Sequence, residues 1–252
     1  FRRVLFRSIS IIIISIFVRR QLTISNPLLN LNVFKGRIFC FSTITSMIIM
    51  LSMVGPALLI PLYVQNALGL SALLSGLVIM PGAIINGIMS VFTGRFYDKY
   101  GPRPLIYAGF SLLTICTLLL CFLKADTSYI YLIVIYAIRM FAVSLLMMPI
   151  NTTGINALDN KDISHGTAIM NFGRVMAGSL GTALMVTFMS IGSKWIGPSS
   201  SAHASKELLQ RQSVAAGVDV SFALVTGFVV VAFLFALFIK EPNRKSQNMR
   251  EV

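Results

Sequence analysis

The chain has 252 residues, of which 56% are hydrophobic and 12% charged, and its 21 Lys and Arg against 8 Asp and Glu give a formal net charge of +13. An ordinary soluble domain is about 25% charged, so a mean hydropathy of +0.83 excludes a water-soluble globular domain and points to a polytopic membrane protein. The basic residues are spread over short loops instead of one face or arm, which excludes a nucleic-acid binder.

Phe1 to Ser8 reads as the translated end of a sequencing adapter and is set aside as an assembly artefact. Ile9 to Val18 is an apolar run of ten residues, roughly 15 Å of helix, or half a hydrocarbon core. Arg19-Arg20-Gln21-Leu22 follows where a signal peptide would need small residues. The run is therefore expected to be the end of a truncated transmembrane helix, with residues 19–37 a cytoplasmic linker and the whole sequence a fragment.

Six full apolar segments come next, expected as spans at Ile38–Ile60, Leu73–Thr93, Leu105–Leu123, Tyr129–Ile150, Thr167–Ser190 and Val220–Phe238. Each is close to the roughly 20 residues a crossing helix needs. Together they make a six-span unit over residues 38–239, followed by a tail at 240–252. Tyr63, Tyr129, Tyr131 and Trp195 stand near span ends, as interfacial aromatics do. The loops on the side of residues 94–105 and the tail carry twelve Lys and Arg, against four on the other side, which places that loop and the C-terminus in the cytoplasm. Ile191 to Asp219 is expected as a long external loop, and the sequon Asn151-Thr152-Thr153 falls on the wrong side for glycosylation. Cys40, Cys116 and Cys121 lie in apolar runs without metal-ligand spacing and read as small packing residues; no metal or other cofactor is expected.

Between the second and third spans lies Gly94-Arg95-Phe96-Tyr97-Asp98-Lys99-Tyr100-Gly101-Pro102-Arg103-Pro104-Leu105, expected as a tight, turn-rich loop. Its glycines permit sharp geometry, and Pro104 suits the first turn of a helix. Asp98, the single acid among Arg95, Lys99 and Arg103, can neutralise a neighbour or stand at a helix N-terminus. The stretch resembles the signature of major facilitator transporters, Gly-x-Leu-x-Asp-Arg-x-Gly-Arg-Lys-x-Leu. Gly94, Asp98, Gly101 and Leu105 take its fixed positions, Lys99 replaces the first basic residue and Arg103 covers the basic pair. Phe96 and Pro102 depart from it. The segments Asn26-Pro27-Leu28-Leu29-Asn30, Asn171-Phe172-Gly173-Arg174 and Gly217-Val218-Asp219 resemble fourteen-span drug:proton antiporters of the EmrB/QacA type, over nearly everything from residue 9 onward. The resemblance implies an all-α half-bundle of two inverted three-helix repeats, a missing N-terminal half of the same chain, and a bacterial cell (inner) membrane.

Two ionisable side chains fall inside the expected spans, Arg139 and Arg174, and every acid lies in a loop, a span edge or the tail. An arginine at mid-bilayer costs about 2.5–3.5 kcal/mol on insertion scales and turns toward protein or a wet cavity. Arg139 is thus open to a cavity role or to interhelical hydrogen bonding, while Arg174 can snorkel. The resemblance places Arg139 where the family has a fourth-span arginine, linked in the N-terminal half to proton coupling; here Ala142 and Val143 replace the usual glycines. The first, second, fourth and fifth spans line the cavity in that family, and the uncharged third and sixth suit lipid. Met50 and Met53 are candidate pocket residues, with Met47, Met80, Met147 and Met148 on the same helices, and Asn86 and Asn171 candidate polar contacts. Pro56 and Pro81 are expected kinks, and Gly173, Ala177 and Gly181 a small-residue ridge for close helix approach.

The expected function is proton-gradient-driven export of hydrophobic or cationic small molecules by alternating access. Alternatives are a metabolite permease of the same superfamily and a non-transporting scaffold. A membrane-embedded enzyme would need acids or histidines at a membrane face, and His165 and His203 stand alone in loops.

Overall fold

A computed structural model describes residues 29–124, 127–196 and 206–237, with scattered positions between 9 and 24. Among the described residues, six helices are long and apolar enough to cross a bilayer: α1 (Arg37–Asn66), α2 (Ala72–Tyr100), α3 (Pro102–Leu119), α4 (Tyr129–Asn156), α5 (Ile163–Ile196) and α6 (Lys206–Leu237). No strand occurs among them, as expected where every backbone polar group must be paired within its own segment. The described positions from 9 to 23 are helical, and Ile12, Ile13 and Ile16 are exposed. The adapter-like residues 1–8 and the tail from 238 lie outside the described residues.

The principal packings are α1 on α5, α2 on α4 and α5 on α6, then α3 on α4, with α1 against both α4 and α6. Exchanging the first three helices for the last three interchanges α1–α5 with α4–α2, and α4–α3 with α1–α6. These packings follow the exchange expected of two three-helix repeats, whereas α5 packs closely on α6 and its counterpart pair, α2 and α3, touches only lightly. One apolar core joins Ile49, Leu59, Phe110, Leu146 and Val225. A second, toward the opposite end from Gly101, joins Ile60, Val78, Leu120, Leu132 and Phe222. α4 is more than half covered by its neighbours, whereas α2 has 17% of its most apolar window buried.

Several expected boundaries move. α2 continues through Gly94, Arg95, Asp98 and Lys99 to Tyr100, so most of the signature is helix rather than loop. Its charged side chains need only project past the apolar layer, and no proline falls between Gly94 and Tyr100 to interrupt the hydrogen-bond ladder there. The turn contracts to Gly101, whose φ of +78° is a conformation that glycine adopts without Cβ strain. Pro102 opens α3, with Pro104 also in its first turn, where amide donors have no intrahelical acceptor. Asp98 lies in the last turn of α2, at the negative end of that helix, not at a helix N-terminus.

At the other end, α6 begins fourteen residues before the expected Val220. Gln210, Arg211, Gln212 and Ser213 dilute the hydropathy, yet Ala215 and Val218 are buried and give the segment an apolar face. The expected external loop is thus helical up to Ile196 and again from Lys206, with 197–205 outside the described residues. α5 and α6 cross closely here. A Cβ built on Gly192 would stand 2.9 Å from the Gly217 Cα, and one on Gly217 would drive into the Met189 carbonyl oxygen. Tyr63, expected near a span end, does not reach the protein surface. It is fully buried, and its hydroxyl donates to the Lys124 carbonyl.

Candidate functional site

The centre of the bundle is organised by one proline. Pro56 has no N–H, so the carbonyl of Ser52, four residues back in α1, loses its helical donor. Arg139 of α4 supplies the replacement. Its Nη2 donates to the Ser52 carbonyl and, at 3.0 Å, to the Ser52 hydroxyl. The guanidinium is fully buried, and its Nε and Nη1 have no hydrogen-bond partner among the described residues. Of the two roles open in the sequence, this geometry displays the interhelical one. No part of the side chain reaches a surface in this packing.

Asn86 of α2 also bridges helices, its Nδ2 donating to the Met140 carbonyl of α4 at 3.1 Å. Nearby, a Cβ on Gly82 would stand 2.7 Å from a ring carbon of Tyr136, so the glycine lets α2 lie flat on α4 just after Pro81. Arg174 and Asn171 pair with each other on α5, guanidinium to amide oxygen, on a helix whose Phe172, Val175 and Leu180 are exposed. They do not approach Arg139 through any hydrogen bond.

The ridge on α5 is occupied by α1. Met47 lies over Gly173, and Met50 and Val54 over Gly178, while a Cβ on Gly181 would come to 3.0 Å from the Leu51 Cα. Ala177 is buried in the same row. Met47 and Met50 therefore fill a helix–helix seam, and Met53 is half-buried against both apolar cores. In the signature, the Arg95 guanidinium stands over the Phe92 ring at 5.6 Å and the Lys99 ammonium over the Tyr100 ring at 5.2 Å. Arg103 is exposed, and a Cβ on Gly94 would touch Met148.

Two features had no clear signal in the sequence. The first is an apolar groove of about 320 Å³ between α2 and α4, lined by Ile85, Ile133, Val134, Ala137, Ile138 and Phe141. Its residues are ordinary apolar span residues, and only the pairing of the two helices makes them a wall. The second is Asp219, expected at a span edge but found within α6, half-buried, with Oδ1 accepting from the Leu123 amide at 3.0 Å. The alternation of Val218, Asp219 and Val220 hid a carboxylate that ties α6 to the segment joining α3 and α4.

A six-span helical bundle of two interlocked repeats, with a charged Gly-x-x-x-Asp-x-x-Gly turn after its second span, defines a membrane-carrier half. The Major Facilitator Superfamily model matches residues 6–182, and the chain belongs to that superfamily. It is 37% identical over 232 residues to the lincomycin resistance protein LmrB of Listeria innocua, covering 92% of this chain and 49% of that protein. The LmrB of Bacillus subtilis is 35% identical over 89% of this chain and 47% of its own. The multidrug export protein EmrB of Escherichia coli K12 is 26% identical over 78% of this chain and 37% of its own. The chain thus spans about half the length of the LmrB relatives and less of EmrB.

Proposed function

We propose that this chain forms one half of a bacterial multidrug exporter that works by alternating access, exchanging hydrophobic or cationic compounds for protons. The observation that carries the reading is similarity to lincomycin-resistance proteins along nearly the whole chain, supported by the match to a multidrug exporter. The second half of the carrier supplies the facing wall, and compounds are moved without being transformed. The α2–α4 groove is the apolar wall on this side. Such a surface recognises ligands by shape and greasiness, which suits a carrier with many substrates. The basic excess on that side supports a cytoplasmic Gly101 end and C-terminus in this reading.

The test is efflux of a fluorescent cationic dye from cells expressing the complete carrier. Efflux is expected to stop when a protonophore collapses the gradient; persistence at the full rate would remove proton coupling. Ile138→Trp, which fills the groove from an exposed position, is expected to slow export of bulky dyes about tenfold, equivalent to ~1.4 kcal/mol, with membrane insertion unchanged. Unaltered export would remove the groove from the ligand path. Asp98→Asn is expected to slow transport without lowering the amount of inserted protein; normal efflux would free Asp98 of any part in the cycle.

A further inference from the structure

At the Gly101 end, α2 and α3 touch only lightly, and between them lies an apolar notch of about 170 Å³. Phe96 and Tyr100 of α2 line it with Pro104, Leu105 and Ala108 of α3, and Leu145 of α4 completes the wall. Phe96, Tyr100, Pro104 and Ala108 are exposed, so the notch opens outward from the bundle. A hydrocarbon chain can enter such a recess without taking any polar group out of water.

The rim is cationic. The Lys99 ammonium lies over the Tyr100 ring at 5.2 Å, and Arg103 is exposed beside Pro104. One turn further along α2, the Arg95 guanidinium lies over Phe92 at 5.6 Å. Phe96 stacks on Tyr100 with ring centres 6.3 Å apart, so the row Phe92, Phe96 and Tyr100 has a cation laid on each end. Among the described residues, Arg95, Lys99 and Arg103 make no hydrogen bond or ion pair. A cation resting on a ring keeps N–H donors for another partner. Asp98 stands two residues from both Phe96 and Tyr100, which places it on the opposite side of α2 from the notch.

Positive charge beside an apolar recess at the edge of the hydrocarbon layer complements a lipid with a negative headgroup, and basic pockets between spans hold such headgroups. A zwitterionic lipid offers the same chains without net charge. A free phosphate offers the charge with nothing to fill the notch.

We propose that the α2–α3 notch is a binding site for one anionic phospholipid of the phosphatidylglycerol kind, its acyl chain along Phe96, Ala108 and Leu145 and its phosphate between Lys99 and Arg103. The site needs only a bundle that spans a bilayer, so it stands or falls apart from the export reading. A lipid seated there joins the end of α2 to the start of α3, a contact that the protein by itself makes weakly.

The purified complete carrier in non-ionic detergent, titrated with lipid and read by native mass spectrometry, tests this. Phosphatidylglycerol is expected to bind at least about tenfold more tightly than phosphatidylethanolamine with the same chains. Combining Lys99→Gln with Arg103→Gln should lower the number of tightly held phosphatidylglycerol molecules by one, and Lys99→Arg alone should not, since charge is what the rim supplies. Ala108→Trp, at an exposed position, fills the notch and should remove the same single lipid while thermal unfolding is unchanged. Soluble glycerophosphate should fail to displace it. Equal binding of the two lipids, a count unchanged by either the charge variant or the Trp variant, or displacement by glycerophosphate overturns the proposal.

Discussion

Removing the arginine side chain while keeping its apolar stem isolates what Arg139 does for α1. Arg139→Leu leaves the Ser52 carbonyl without a donor in the bundle interior, because Pro56 cannot offer one. The expected loss is about 1–3 kcal/mol, read as a lower unfolding temperature in detergent. Pro56→Ala restores an N–H to that carbonyl, so the loss should shrink when both changes are combined. A double-mutant cycle measures the coupling directly; strict additivity would show that proline and arginine act independently. The sequence exposed both residues, Arg139 as a charge within an apolar run and Pro56 as a helix breaker. Their partnership was hidden, because hydropathy says which residues enter the membrane and not which helices touch. Tyr63 was misread for the same reason. An aromatic near a span end looks interfacial until the segment after α3 folds over it.

Individual helices differ in how tightly they are held, and their glycines report this. Gly217→Ala forces a methyl into the Met189 carbonyl at the α5–α6 crossing and should destabilise the fold by about 1–3 kcal/mol, as overpacking does. Gly87→Ala on α2 meets open space and should raise stability by a few tenths to ~1 kcal/mol, the ordinary helix-propensity gain. Thermal unfolding of the two variants side by side checks the contrast, and equal effects would contradict the α5–α6 contact. At this scale the sequence was a good guide to the existence of every span and a poor one to where each ends. α2 and α6 outran their apolar windows for one physical reason: a helix continues past the hydrocarbon layer wherever one face remains apolar or the polar side chains can stand in water. The Gly101 turn, by contrast, was legible, because a glycine set between charged residues and a Pro-x-Pro run has few other uses.

For the bundle as a whole, the six-span class followed from composition, and the paired repeats were implied by the family resemblance that the signature residues carry. The groove between α2 and α4 did not, since it arises from how the two helices pair rather than from residue type. Asp219 lies far from Arg139 in the chain and bonds the backbone of Leu123, fastening α6 to the segment after α3. Asp219→Leu, which removes the acceptor and fills the space with hydrocarbon, should weaken that fastening. Faster amide exchange at residues 120–124 is the measurement, and unchanged exchange would show the bond to be dispensable.

The sparse cover on α2 has a mechanical side. In the carrier proposed above, the open flank of this rod looks toward the other half, so its final grip would come from across the cavity. Val91→Trp, at an exposed position on that flank, should then retard dye export by the complete carrier while leaving its thermal unfolding where it was.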